Sequence, residues 1–201
     1  MGKLQRAIGR FTGHWAKFGV AACVVAALLM TPQHAAVAGS NLKDGGFEAG
    51  RFAGQWKEKS TNFGTPICRV TGVDGCGSGN NTALPRTGTY WAWLGGADDN
   101  PEVASVQQNV KFPSGGQATL RFYLWIGDDS PDGKDWLRVF VDGQRVFNVK
   151  EKTSKYKSGY TLVEIELDQF ADGLKHKLLI KSKCTGDGNT NFSVDDVSLT
   201  S

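Results

Sequence analysis

Aromatic side chains recur at strand spacing in three places: Trp91 and Trp93, Tyr123 and Trp125, and Trp136 at the head of an apolar run. A ring offers apolar area to the CH-rich face of a sugar while neighbouring polar groups fix its hydroxyls, so all five are candidates for a saccharide-stacking platform. Tyr123 and Trp125 are the preferred pair, because they alternate with the apolar core set Leu120, Phe122, Leu124 and Ile126. Trp91 and Trp93 suit a sandwich core better than a ligand face. Arg86 is a candidate to orient a ligand, and it serves as well to brace a loop by pairing with Asp98 or Asp99. The acids Asp128, Asp129, Asp132 and Asp135 form either a cation-binding loop or a solvated turn. Catalysis lacks a constellation. His176 follows a leader-like segment that holds the other two histidines, and it stands between Lys175 and Lys177, where a solvent-facing ring is expected. No Gly-x-Ser-x-Gly, His-Glu-x-x-His or phosphate loop occurs. Paired carboxylates for glycoside hydrolysis are set only in three dimensions.

The first seventeen residues carry Lys3, Arg6, Arg10 and Lys17 with no acid, and an apolar run follows from Phe18 to Met30. That run is short for a membrane span. With small residues at Ala36 and Ala38, it reads as a signal peptide over 1–38, cleaved to leave a single domain over 39–201 in an extracellular setting, with no membrane partner after cleavage. Removing four of 23 cations leaves 19 against 20 acids, so the whole-chain +3 becomes −1. The basic balance belongs to the leader, and the remaining composition shows no basic patch of the kind that tracks phosphates, which argues against a nucleic-acid partner. In an exported chain Cys68 and Cys76, eight residues apart, form a local disulfide. Cys184 is then either a buried free thiol or a partner of one of the other two.

The elements that must position these groups read as strands. A first short strand ends near Glu48 and a second begins at Trp56. Residues 60–87 read as a long Gly- and Asn-rich loop pinned by its own cystine. The Tyr90–Leu94 run has large side chains on both faces and belongs inside a sheet. Runs over 104–112, 120–126, 136–141, 145–149, 161–167, 176–181 and 192–199 alternate with period two, and Asp142-Gly143 between two of them predicts a type I′ hairpin. Lys150 to Ser158 reads as an exposed connection. Helical periodicity is lacking, so the fold class is all-β, an antiparallel sandwich.

Gly45-Gly-Phe-Glu48 and Val194-Asp-Asp-Val-Ser-Leu199 resemble the first and last strands of jelly-roll carbohydrate-binding modules and of MAM-like extracellular domains. The middle of the chain is similar to a group of bacterial secreted domains of uncharacterised role. It shares with them a cysteine pair, Pro85-Arg86-x-Gly88, and Trp91-Ala-Trp93 followed by Leu94-Gly95-Gly96. The resemblance implies a jelly-roll β-sandwich whose terminal strands lie side by side, bringing Glu48 near Asp196 or Asp195. Clustered carboxylates need a cation, an arginine or protons. The resemblance implies a structural Ca2+ there, held first by Glu48 and Asp196 and second by Asp195. It also implies a secreted, non-catalytic binding module for polysaccharide or glycan. The alternatives are an adhesion or matrix protein that binds cell-surface proteins or its own copies, and a jelly-roll glycosidase or lyase.

Overall fold

The computed structural model describes residues 42–73 and 75–201, so the leader and its cleavage position lie outside the described residues. In chain order the strands are β1 (Lys57–Ser60), β2 (Ile67–Arg69), β3 (Tyr90–Trp93), β4 (Ala104–Lys111) and β5 (Thr119–Asp128). Then come β6 (Trp136–Val141), β7 (Gln144–Lys150), β8 (Thr161–Glu166), β9 (Lys175–Lys183) and β10 (Thr190–Thr200). They form two five-stranded sheets, ordered β1-β4-β9-β6-β7 and β2-β3-β10-β5-β8, and every strand pair is antiparallel. Only β2–β3 and β6–β7 are sequential neighbours within a sheet; the other connections cross between sheets. The molecule is an all-β sandwich. Among the described residues no helix is long and apolar enough to cross a membrane.

Period-two alternation explains the core. In the first sheet Val106, Ile180 and Val139 stand abreast on three strands. In the second, Ile67, Ala92, Val194 and Leu124 stand abreast on four. All seven are fully buried in one apolar cluster, and burying each valine, leucine or isoleucine among them stabilises the fold by about 1.5–3 kcal/mol. The Trp91–Trp93 strand lies inside the second sheet between β2 and β10, as its two apolar faces predict. Asp142 and Gly143 take φ of 49° and 86°, the two positive values a type I′ turn needs.

Three stretches differ from their sequence reading. Residues 42–50 make turns rather than a strand, because Asp44 and Phe47 adopt φ of 52° and 60°. The segment still lies on β10: the Val197 amide donates to the Gly45 carbonyl at 2.9 Å. A Cβ at Gly45 would stand 1.8 Å from the Val197 oxygen, so close approach demands glycine there. Within 60–87 a short strand, β2, forms because its partner β3 supplies a ladder that a local reading does not see. The 150–158 connection is not wholly exposed, since Glu151 and Tyr156 are buried.

Candidate functional site

Strand register sorts the aromatic candidates onto two outer faces. On the second sheet Cys68 stands opposite Trp91, Trp93 and Trp125 flank Ser193, and Tyr123 stands opposite Asp195. Four of the five aromatics therefore share one face. Trp136 lies on the first sheet, where Arg138 sits over its ring at 3.9 Å.

The segment between β2 and β3 folds back over the shared face as a roof. Its cystine joins Cys68 to Cys76, and with Ala83 it encloses Trp91, which has no exposed surface. Arg86 lays its guanidinium 3.4 Å from the centre of the Tyr123 ring. Tyr160 donates its hydroxyl to the Leu84 carbonyl and meets Trp125 edge-on at 5.7 Å. Trp93 donates its indole N–H to Asn191 at 2.8 Å, and Asn191 reaches Thr82 at 2.7 Å. The roof sits so low that a Cβ at Gly127 would fall 2.4 Å from the Thr82 Cβ. Tyr123 and Trp125 are thus half-buried with their neighbours fixed, held as a rigid layer under Arg86 and Tyr160.

The three acids of the terminal segments do come together, and donors occupy them. Glu48 accepts the Thr89 and Tyr90 amides at 2.9–3.1 Å. Asp195 accepts the Arg86, Thr87 and Asp196 amides, and Asp196 accepts the Thr87 hydroxyl and an Arg86 N–H, both at 2.6 Å. Burial pushes the Asp195 carboxyl up to about 6 against those amide donors. Arg86 supplies the positive charge, so it pairs with Asp196 rather than with Asp98 or Asp99. Glu48 and Asp195 cap backbone amides and Asp196 is neutralised by Arg86, an arrangement that does not fit a cation. Among the described residues no group of three or more His, Cys, Asp or Glu is arranged to hold a metal ion.

Elsewhere the acids divide. Asp128 binds Lys152 and Lys157, whereas Asp135 and Glu151 are fully buried and Glu151 reaches no donor from another residue. Glu102 is also fully buried, but it is satisfied by Ser60, Thr61 and Asn62 and anchors the turn after β1. Cys184 is a free, buried thiol; burial raises its pKa and leaves it inert at neutral pH. His176 is not solvent-facing. Its side chain is 11% exposed and bridges Asp142 at 2.7 Å and Asp172 at 2.9 Å, with Phe112 and Phe170 edge-on to the ring. Both ring nitrogens are committed, at a site remote in sequence from the aromatic layer.

At the border of the roof, Trp93, Phe63, Arg51, Thr65 and the cystine line a hollow of about 320 Å³. Phe63 is 52% exposed. Trp93 is held by stacking on Trp91 at 6.1 Å and by its bond to Asn191. An aromatic wall beside a guanidinium is the kind of lining that suits a sugar ring, while the Thr65 hydroxyl is spent on Glu58 and the Ile67 amide. The sequence reading named Trp93 but missed Phe63, Arg51 and Thr65. Phe63 had a signal, a lone aromatic in a polar, turn-rich stretch; Arg51 and Thr65 had none.

The chain matches no protein-family profile and no curated protein. Among solved structures it is similar to TmCBM61 in complex with β-1,4-galactotriose, at a TM-score of 0.52 and 20% identity over 80% of this chain and 97% of that one. A family 16 carbohydrate-binding module-2 aligns at 0.47 and 14%, covering 80% and 99%. A Stig cyclase, Fisc, from Fischerella sp. TAU aligns at 0.48 and 11%, covering 82% and 97%. The likeness to the first is one of fold; a shared sandwich hosts unlike functions.

Proposed function

We propose that the chain is a non-catalytic, secreted carbohydrate-binding module of jelly-roll type, taking a neutral glycan at the hollow beside the cystine. The observation that carries the reading is the hollow itself: a half-buried Trp93 and an exposed Phe63 flank Arg51 on a braced scaffold. Apolar rings meet the sugar's CH faces, and the guanidinium of Arg51 at the rim meets its hydroxyls. Rigidity matters, because a site already ordered loses little entropy on binding. TmCBM61, whose fold the chain shares, was solved with β-1,4-galactotriose, which makes β-1,4-galactan the first glycan to try. Calcium has no part in this reading, since Arg86 and backbone amides already serve the carboxylates that would hold it.

The adhesion alternative calls for a broad apolar outer surface. The exposed large apolar residues, Phe52, Val73 and Leu174 among them, are scattered rather than gathered on one sheet. The glycosidase or lyase alternative calls for convergent acids, or a tyrosine and histidine, beside the aromatics. His176 is engaged by two aspartates, and Tyr160 donates to a backbone carbonyl.

The test is a screen of soluble and insoluble neutral glycans against the full chain, with Phe63→Ala and the pair Tyr123→Ala and Trp125→Ala. Phe63→Ala should weaken binding about tenfold, the loss of a stacking contact worth about 1–2 kcal/mol. Binding lost only in the Tyr123 and Trp125 variants would move the site to the roofed face and overturn the assignment of the hollow.

A further inference from the structure

The outer face of the first sheet is strongly cationic, although the composition of residues 39–201 shows no basic excess. β9 turns Lys175, Lys177, Lys181 and Lys183 outward in alternation, and β1 adds Lys57 and Lys59, which stand opposite Gln107 and Ser105 on the intervening β4. Lys111, Arg138 and Lys150 extend the field along the same face. No acid holds an outward position on these five strands. Among the described residues Lys57, Lys59, Lys111, Lys175, Lys181 and Lys183 form no ion pair; the pairs that do form lie elsewhere. Neighbouring strands lie about 4.8 Å apart and same-face residues about 6.8 Å apart along each strand, so the sheet displays its cations as a grid about 19 Å wide.

We propose that this face binds a linear polyanionic polysaccharide, one whose repeating units carry carboxylate or sulfate groups. The ligand class follows from what lies between the cations. Ser105, Gln107, Asn109 and Asn148 offer a hydroxyl and amides suited to sugar hydroxyls. Between β1 and β9 the face dips into an open groove of about 560 Å³, lined by Lys57, Lys59, Ser105, Gln107, Leu179 and Lys181. Glu58 borders it but turns its carboxylate to the Phe52 amide and the Thr65 hydroxyl. Like charges held this close repel one another, and a polyanion laid across them relieves that repulsion while releasing its own counterions.

A single-stranded nucleic acid would need free aromatic platforms, and the Trp136 ring is already covered by Arg138. A duplex calls for a helix or strand that protrudes into a groove, which the outer face of this sheet does not offer. An anionic lipid surface would need protruding apolar anchors, whereas Phe140 and Leu179 are half-buried among the lysines. The proposal rests on the glycan-binding reading for its ligand class, but it uses a different sheet and different residues.

The test measures retention of the full chain by polygalacturonate, a linear uronan, at about 50 and 300 mM NaCl. Neutral β-1,4-galactan, single-stranded and duplex DNA, and phosphatidylglycerol vesicles run in parallel. Polygalacturonate should bind at low salt and weaken steeply at high salt. The triple variant Lys57→Gln, Lys59→Gln, Lys181→Gln should lose about tenfold or more in affinity, since each neutralised contact removes roughly one released counterion. The same three positions changed to Arg should keep binding, which separates charge from folding, and Phe63→Ala should bind polygalacturonate as the unaltered chain does. No retention at low salt, equal binding by the Gln variant, or tighter binding to DNA or vesicles would overturn the proposal. Loss of galactan binding alone would leave this face intact and strike only the hollow.

Discussion

His176 is placed between two carboxylates at the junction of β9 with two turns. Burial of the ring opposes its charge, but Asp142 and Asp172 outweigh that and hold its pKa above the ordinary value. A histidine pKa raised on folding contributes stability that is complete below the unfolded value of about 6.5 and is lost as pH rises through the folded value. Asp142 is held below its usual range first by the Lys177 amide and then by His176, and Asp172 first by His176. Their share disappears only in acid. His176→Gln should therefore lower Tm near pH 6 and reduce the fall in Tm between about pH 6 and 8.5; an unchanged slope would contradict the bridge. Glu151 differs in kind. Its burial first, and then the charges of Asp135, Asp128 and Asp132, raise its pKa, so the folded state holds its proton more tightly and stability declines as pH climbs above about 4. Glu151→Gln should raise Tm at pH 7.5 and change it little at pH 4. A lower Tm at pH 7.5 would mean that the carboxylate serves a partner.

The β2–β3 roof does most to decide what the aromatic face can do. The eight-residue spacing of Cys68 and Cys76 closes a short loop, worth about 2–3 kcal/mol in the chain-entropy account. Cys68→Ser with Cys76→Ser should cost about that much and lift the roof from Trp91, read as a red shift in tryptophan emission. Unchanged emission would contradict the roof's role in burying that ring. The cystine was legible because both cysteines lie close in an exported-type chain. The covering of Tyr123 and Trp125 was not. Alternation assigned those rings correctly to the face opposite the aliphatic core, but only tertiary contacts from Arg86 and Tyr160 decide how far that face stays open. The same limit hid the basic sheet: Lys57, Lys59 and the β9 lysines are spread over more than a hundred positions, and strand pairing alone brings them abreast.

For the whole molecule, the sandwich, its central Trp91–Trp93 strand and the Asp142–Gly143 hairpin follow from periodicity and turn chemistry, which are local properties. The hollow at Trp93 and Phe63 joins residues of β2 and β3 to four separate loops and left only one local sign, the stray phenylalanine. Calorimetric titration of the full chain with β-1,4-galactan oligosaccharides, set beside Phe63→Ala, decides whether this hollow takes a neutral glycan. A glycan seated there should bind saturably, change little with salt and weaken about tenfold in the variant, by loss of ring contact. A well-folded chain that binds neither these nor any other neutral glycan, or a Phe63→Ala variant that binds as tightly as the unaltered chain, would contradict it.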